Sequence, residues 1–405
     1  MTKTAVIGGG AAGLCCVCEL LHLAKGRTQV SLFEQKDRVG KKLLATGNGR
    51  CNLCNQHATP DRYPAAVRAF AAPALERFSP ESTLRFFERL TLLTHTDSEG
   101  RVYPLSNQAA GVLDALRLEA KRLGADLRCG VPVTTLQPGK GGFLVNGEPF
   151  DFVVLALGGK AAARDFSDAL LRSLRLQMTG PLPGLVKLTT ADPLPHSLRG
   201  LRVRAALTLL LNGKEAGVQR GELQFGDGAL SGIALMNLSS VYARACLNGA
   251  VPAQIVADFV PELPEKALQK LLQSIIQSGQ REICEDLLSG LLVKKLGIAL
   301  LKRAGIRPDA PTHTLNTRQI EALCRVCKRC VFAVTGSGSF ADAQVTVGGL
   351  ARAGFFPESL ESRQYPNLYA CGELLDVDGP CGGFNLQWAF ASARLCAAAI
   401  AEKTT

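Results

Sequence analysis

Hydrophobic positions near the start of the chain change from a strand spacing to a helical spacing and back. Residues 4–7 form a short apolar run, residues 11–24 carry apolar side chains at helical intervals, and residues 30–33 form a second apolar run. This order predicts a β–α–β unit. Parallel strands joined by a helix build an α/β fold, so we predict a Rossmann-like, three-layer domain.

The pattern continues beyond this unit and then changes character. A helix is predicted at residues 109–123, and strands are predicted at residues 127–136 and 152–157. From about residue 181, prolines separate alternating strands such as residues 202–211. We therefore predict a Rossmann-like domain in two parts, residues 1–180 and 337–405, interrupted by a β-rich insertion at residues 181–336 with a small helical part at about residues 261–309.

The composition is that of a globular protein from a reducing compartment. At 405 residues, with 47% hydrophobic and 20% charged residues, the chain is long enough for two or three domains. No apolar run approaches the roughly 18 residues of a membrane span, and the glycine-rich N-terminus lacks a signal-peptide pattern. The 14 cysteines are scattered and include the adjacent residues Cys15 and Cys16, unlike a disulfide framework. We predict a cytoplasmic protein without membrane association.

The formal net charge of +11 changes this picture only slightly. A basic surface favours phosphate-bearing cofactors, acidic substrates or RNA. The Lys and Arg residues, however, are spread along the chain without a basic block or interleaved aromatic residues. This distribution argues against nucleic-acid binding.

A glycine-rich turn of the form G-x-G-x-x-G joins the first predicted strand to the first helix. Gly8 permits a tight turn, Gly10 leaves room for a pyrophosphate beside the backbone, and Gly13 lets the helix pack closely on the strand. The first amides of the helix would face the phosphates. The second strand ends at Glu34, 21 residues after Gly13, where a carboxylate can accept both hydroxyls of an adenosine ribose. This spacing predicts a dinucleotide site.

The segment after Glu34 distinguishes FAD from a nicotinamide cofactor. A nicotinamide-binding fold would continue directly into a second helix, whereas residues 36–55 are rich in glycine and basic residues without a clear helix or strand pattern. A long loop of this kind could lie along an extended cofactor; an exposed hairpin is the alternative. Five consecutive residues could donate hydrogen bonds to the cofactor, namely Thr46, Gly47, Asn48, Gly49 and Arg50.

Three motifs together resemble a known family. Besides the glycine turn, the chain has GKKLL at residues 40–44 followed by GNGRCN at 47–52, and GELLDVDG at 372–379 followed by GGFN at 382–385. A further match is DAQVTVGGL at 342–350. These motifs resemble bacterial FAD-dependent oxidoreductases of a family that includes bile-acid-pathway reductases and aminoacetone oxidases, with a more distant similarity to fumarate reductase flavoproteins.

The resemblance implies non-covalent FAD and a set of residues that hold it. Asp376 would bind hydroxyl groups of the ribityl chain or near the phosphates. Gly382 and Gly383 would precede a final helix whose N-terminus points at the flavin. Val133 would contact the adenine through its main chain. The expected cofactor-binding residues are Gly8, Gly10, Ala11, Ala12, Gly13, Glu34, Gln35, Lys36, Lys42, Leu43, Thr46, Gly47, Asn48, Gly49, Arg50, Cys51, Asn52, Val133, Ala156, Gly158, Gly159, Gly372, Glu373, Asp376, Gly382, Gly383, Asn385 and Leu386. Residues 160–165 depart from the family pattern, so the resemblance leaves the substrate open.

Two groups of cysteines have spacings compatible with metal or redox chemistry. One is Cys51 with Cys54, and the other is Cys324, Cys327 and Cys330. The second group would cross from a helix into a strand, which would separate its thiols. We therefore predict buried, unligated thiols and no metal site.

These observations predict an FAD-dependent oxidoreductase that transfers hydride between a reductant and a small organic substrate. An enone, another unsaturated carbonyl or an amine are candidate substrates. Because no second glycine turn lies between a strand and a helix, NAD(P)H would dock transiently as the electron donor. No residue is singled out as a catalytic acid or base, and the insertion is expected to form the substrate domain.

Two hypotheses from other classes stay open. The positive charge is compatible with a tRNA-modifying flavoprotein, which would show salt-dependent RNA retention. A non-catalytic flavin-binding sensor would change shape on reduction but would not consume NAD(P)H with an organic acceptor.

Overall fold

This computed structural model describes residues 1–161 and 169–404 of the chain. The strands are β1 (Thr2–Ile7), β2 (Thr28–Glu34), β3 (Cys54–Asn55), β4 (Thr94–Thr96), β5 (Arg101–Pro104), β6 (Asp126–Cys129), β7 (Leu136–Gly139), β8 (Gly142–Val145), β9 (Glu148–Phe150), β10 (Phe152–Leu155), β11 (Met178–Gly184), β12 (Leu188–Thr190), β13 (Arg202–Leu211), β14 (Lys214–Phe225), β15 (Ala229–Ser231), β16 (Ala253–Asp258), β17 (Cys330–Ser337), β18 (Val345–Leu350) and β19 (Leu368–Ala370). The helices are α1 (Ala11–Ala24), α2 (Lys41–Ala45), α3 (Ala65–Arg77), α4 (Pro80–Arg89), α5 (Ala109–Arg122), α6 (Ala169–Ser173), α7 (Pro193–Ser197), α8 (Ile233–Ala245), α9 (Glu265–Gln277), α10 (Lys294–Arg303), α11 (Thr317–Lys328) and α12 (Phe384–Lys403).

A five-stranded parallel sheet is the centre of the first compact unit, which comprises residues Met1–Pro183 and Gln344–Thr405. Its strand order is β19-β10-β1-β2-β6. Carboxyl ends of parallel strands meet at one edge of a sheet, so the residues that follow β1, β2, β10 and β19 come together there. This edge is where an open α/β sheet binds its ligands.

Helices and a small β-meander cover this sheet. α12 is buried along most of its length, and its low amphipathicity fits a helix surrounded by other elements. The antiparallel meander β7-β8-β9 packs against the sheet through Phe150, whose ring is T-shaped to Phe33 with centroids 5.8 Å apart. The parallel sheet with its covering layers confirms the predicted Rossmann-like fold.

An ion cluster around the buried Glu19 carboxylate ties α1 to α4 and α12. The Glu19 carboxylate of α1 accepts from Arg89 at 2.8 Å and from Arg394 of α12 at 3.1 Å. Arg394 also donates to Ser82 O at 3.1 Å and lies 4.4 Å from the Phe78 ring centroid. Because Glu19 pairs with both arginines, its buried carboxylate is not left as an unpaired ion.

The second compact unit, residues Gly184–Ala343, is built on a closed barrel. Its strands follow the order β12-β15-β14-β13-β16-β17. Helix α8 packs on β14 where Gly217 and Gly221 offer no side chains, so that Leu238 and Ala234 approach the strand. Helices α9, α10 and α11 form the helical part, and α11 begins with an Asn316–Gln319 capping box. The prediction of an added β-rich region is confirmed.

Some predicted elements differ in extent from the observed ones. Helix α1 and strand β13 have the predicted bounds. The strand predicted at residues 127–136 is too long, because β6 ends at Cys129 and the chain turns at Gly130, which has φ +72°. The stretch 36–55 contains α2 and a 3-10 helix at Thr46–Gly49 instead of a continuous loop. No helix within the described ranges combines the length and apolar character needed to cross a bilayer.

Candidate functional site

In the turn between β1 and α1, Gly8 and Gly13 pack against neighbouring backbone, whereas Gly10 faces open space. A Cβ at Gly8 would overlap the Ala156 carbonyl oxygen, and a Cβ at Gly13 would overlap the Gly8 carbonyl oxygen. A Cβ at Gly10 would meet no atom within 4 Å. The first N–H groups of a helix have no intrahelical partner, and here they border this open space. The turn therefore leaves a recess at Gly10 beside the helix amides, an arrangement that can bind phosphate groups.

Glu34 ends β2 with its carboxylate held against the same turn. Oε2 accepts from the Gly9 N–H at 3.0 Å, and Oε1 accepts from the Lys36 N–H at 2.9 Å. Each carboxylate oxygen keeps a further lone pair. The carboxylate is thus fixed in place and still able to accept hydroxyl groups from a ligand.

A cleft of about 1240 Å³, counting its open mouth, follows this edge of the sheet. Its walls belong to the first compact unit. The predicted cofactor-binding residues that line it are Gly8, Gly10, Ala11, Ala12, Glu34, Gln35, Lys36, Lys42, Leu43, Thr46, Ala156, Gly158, Gly159, Gly372, Glu373, Asn385 and Leu386. Segments far apart in the sequence therefore meet in one elongated cleft with a size and chemistry suited to a dinucleotide.

An ion pair and its hydrogen bonds join four segments in and behind the cleft wall. Lys42 Nζ lies 2.5 Å from Glu373 Oε2, and Glu373 Oε1 accepts from the Thr346 N–H at 2.8 Å. The Thr346 hydroxyl in turn accepts from the Ala161 N–H at 3.0 Å. A Cβ at Gly159 would lie 2.4 Å from the Thr346 hydroxyl oxygen, so a side chain there would displace this network. The pairing leaves neither the Lys42 nor the Glu373 charge unpaired in the cleft wall.

The remaining predicted residues lie outside the cleft wall, namely Gly13, Gly47, Asn48, Gly49, Arg50, Cys51, Asn52, Val133, Asp376, Gly382 and Gly383. The backbone at residues 47–50 is exposed, and the Arg50 guanidinium stacks 4.9 Å from the centroid of the Tyr103 ring. Val133 lies in the irregular segment after β6. The assigned cofactor contacts of these residues stay predictions.

Several of these residues instead support the walls. Asp376 is buried, accepts from the Gly348 N–H at 3.2 Å and lies 3.5 Å from Arg352 Nε. The Asn52 amide, turned to satisfy both of its ends, accepts from the Gly383 N–H at 3.2 Å. A Cβ at Gly383 would overlap the Cys54 backbone. Packing between α12 and β3 therefore already requires glycine at this position.

Sequence reasoning missed part of the cleft lining: Gly9, Gly40, Lys41, Leu157, Gln344, Val345, Cys371, Val377, Trp388 and Ala389. Gln344 and Val345 fall inside the DAQVTVGGL match, which was the available signal. Trp388 had no local signal. Its indole N–H donates to Gly372 O at 3.0 Å, a contact that only the packing of α12 creates. Residues 162–165, part of the departure from the family pattern, lie outside the described residues.

The cysteine groups are buried and protonated. Burial raises the pKa of Cys51 to about 11 and that of Cys54 to about 12. Burial, with a smaller effect of the nearby Cys324 and Cys330 thiols, raises the pKa of Cys327 to about 12. Within residues 1–161 and 169–404, no three or more His, Cys, Asp or Glu side chains are grouped to hold a metal ion.

Comparison with known proteins agrees with the motifs. The profile of the HI0933-like protein Rossmann domain family matches residues 2–399. The 3-dehydro-bile acid delta(4,6)-reductase of Clostridium scindens is 36% identical over 100% of both chains. The ribosomal RNA dihydrouridine synthase of Escherichia coli is 28% identical over 97% of this chain and 96% of its own. These matches confirm the resemblance inferred from the sequence.

A solved structure supports the fold. The 3-ketosteroid delta1-dehydrogenase of Sterolibacterium denitrificans covers 100% of both chains with a TM-score of 0.51 and 13% identity. At this identity the likeness concerns the fold alone.

Proposed function

The chain belongs to the HI0933-like Rossmann family and is an oxidoreductase of the FAD-dependent type, and from that premise we propose that it saturates a carbon–carbon double bond conjugated to a carbonyl group. NAD(P)H is the proposed transient electron donor. The observation that carries the proposal is the cleft, which joins the open space at Gly10 to the Glu34 carboxylate, where FAD would place its pyrophosphate and adenosine ribose.

The chain's own residues fit non-covalent FAD. The amides at the start of α1 would hold the pyrophosphate, and Glu34 would accept the adenosine ribose hydroxyls. The far part of the cleft, near Gln344 and Asn385, would take the flavin ring and exclude water from one side of it. Bound FAD supplies the hydride chemistry that amino-acid side chains lack.

The names of two relatives support the substrate class. A delta(4,6)-reductase of a 3-dehydro bile acid and a dihydrouridine synthase both remove a ring double bond conjugated to a carbonyl. A polarised double bond of this kind accepts hydride at its β-carbon and a proton at its α-carbon. The shared reaction class favours an unsaturated carbonyl over an amine as the substrate.

The test begins with the cofactor. Purified protein should be yellow and release FAD, not FMN, on denaturation, because FMN has no adenosine ribose for Glu34. After anaerobic reduction, steroid enones and simple cyclic enones should reoxidise the flavin and yield the saturated ketone, while a matched panel of amines should not. Protein that stays colourless with added FAD, or that only amines reoxidise, would overturn the proposal.

A second candidate substrate is a uridine in ribosomal RNA. It is favoured by the net charge of +11 and by the dihydrouridine synthases among the relatives. If the protein acts on RNA, its affinity for ribosomal RNA should fall linearly on a log–log plot against salt concentration. Incubation with NADPH should then form dihydrouridine. Double-stranded DNA of equal length is the control for non-specific charge, and equal binding of both polymers without dihydrouridine would remove this candidate.

A further inference from the structure

The Lys42–Glu373 ion pair lies between the two parts of the cleft that the proposed function assigns to the pyrophosphate and the flavin. On one side, Glu373 follows Gly372, and a Cβ at Gly372 would lie 2.9 Å from a side-chain atom at the start of α1. On the other side, Glu373 Oε1 accepts from the N–H of Thr346 at 2.8 Å, two residues after Gln344 in the chain. The pair therefore connects the helix amides assigned to the pyrophosphate with the region assigned to the flavin ring.

Other charged residues of the cleft wall are placed differently. Glu34 ends β2 and Lys36 follows it, at the part of the cleft assigned to the adenosine ribose. Lys41 forms its ion pair with an exposed carboxylate. Of the charged side chains that line the cleft in the part of the chain that the structure describes, the Lys42–Glu373 pair is therefore the one bonded to β18, next to the flavin region.

The two charges of the pair cancel as long as both are present. Lys42 Nζ lies 2.5 Å from Glu373 Oε2, and the two side chains are 36% and 21% exposed. At the effective dielectric constant near a protein surface, charges interact about four times as strongly as in bulk water. Reduction of FAD by two electrons and one proton adds one negative charge to it. An unbalanced charge in the wall would therefore act unequally on the oxidised and the reduced cofactor.

Resting on FAD binding in this cleft, we propose that the Lys42–Glu373 pair sets the reduction potential of the bound flavin. The Lys42 ammonium stabilises the reduced, more negative cofactor, and the Glu373 carboxylate limits this stabilisation. A flavoprotein reductase needs such a balance, because its flavin has to accept electrons from the donor and still pass them to the substrate. A potential between those of donor and acceptor allows both transfers.

Three variants change the charge of the wall in opposite directions. Lys42→Met keeps the apolar stem but leaves the Glu373 carboxylate unpaired, so the potential should fall. Glu373→Gln keeps an oxygen for the Thr346 N–H but leaves the Lys42 ammonium unpaired, so the potential should rise. The double variant is neutral and should lie close to wild type. Each single variant should change the ratio of the affinities for reduced and oxidised FAD by about tenfold, which is about 30 mV for a two-electron couple.

The measurement needs no substrate. Apoprotein of each variant is loaded with excess FAD and reduced anaerobically beside a redox dye of known potential, and the absorbances of flavin and dye give the potential. Lys403→Met is the control for a general change of charge. It removes a cation that pairs with Glu361 near the end of α12, roughly 27 Å along the helix from the cleft residue Asn385. At 0.1 M salt this distance exceeds the screening length of about 10 Å, so the potential should stay unchanged.

Opposite shifts in the single variants that cancel in the double variant would support the proposal. Equal weakening of oxidised and reduced FAD, with an unchanged potential, would assign the pair to cofactor binding alone and overturn it. Shifts of the same sign, or a single variant that binds no FAD even in excess, would show that the pair maintains the shape of the wall and would overturn it as well. These outcomes leave the proposed reaction standing, whereas wild-type protein that binds no FAD would overturn both.

Discussion

Gly13→Ala should lower the free energy of unfolding by about 3 kcal/mol or more and abolish FAD retention. The added Cβ would overlap the Gly8 carbonyl oxygen, a backbone atom at the end of β1 that cannot move without displacing the sheet. Overpacking a core usually costs about 1–3 kcal/mol, and a clash with rigid backbone belongs at the upper end. Urea denaturation of the variant and the flavin absorbance of purified protein measure the two effects.

Gly10→Ala is the matched control within the same turn. Its Cβ would enter open space, and Gly10 has φ −83°, which alanine adopts readily. We therefore expect unchanged stability but weaker FAD binding, because the methyl group occupies the recess assigned to the pyrophosphate. Equal losses of stability in the two variants would contradict the assignment of Gly13 to packing and Gly10 to the ligand.

The parts of the fold that the sequence predicts are those whose signals are local. Helix α1 has its predicted bounds, because a glycine turn precedes it and Lys25, in the left-handed conformation, ends it. Strand β13 also has its predicted bounds, since its alternating burial follows its alternating sequence. In both cases, neighbouring residues in the chain carry the information that determines the element.

The elements that the sequence misplaces depend on distant partners. The predicted strand beyond Cys129 is replaced by a turn because the amides of Gly130 and Val131 bond to the carbonyls of Lys36 and Glu34. These partners lie nearly a hundred residues earlier in the chain. The residues next to Cys129 in the sequence therefore do not indicate these hydrogen bonds.

The candidate site shows the same division. The glycine turn and Glu34 are recognisable because their spacing is set by one β–α–β unit. Gly383, in contrast, was assigned to the flavin, yet its contact with the Cys54 backbone alone accounts for glycine. Asp376 was assigned to cofactor hydroxyls, yet its carboxylate is bonded to Gly348 and near Arg352. A sequence motif does not distinguish residues that contact a ligand from residues that pack behind the binding site.

Glu34→Ala should weaken FAD binding by about 100-fold or more. A hydrogen bond to a charged group contributes about 1.5–3 kcal/mol, so the loss of two ribose contacts costs at least about 3 kcal/mol. At roughly 1.4 kcal/mol for each factor of ten, this corresponds to about 100-fold or more. The carboxylate also anchors the amides of Gly9 and Lys36, so a general loosening of the turn has to be separated from the lost ribose contacts.

FMN separates these two effects because it lacks the adenosine ribose. If Glu34 acts on the ribose, Glu34→Ala should reduce the affinity for FAD far more than that for FMN, as measured by fluorescence titration of apoprotein with each flavin. Asp37→Asn removes a neighbouring carboxylate that is exposed and paired with Lys41, and it should change neither affinity by more than about threefold, as expected for a surface ion pair. Equal losses for both flavins would assign Glu34 to the architecture of the turn, and an unchanged FAD affinity would remove it from the site altogether.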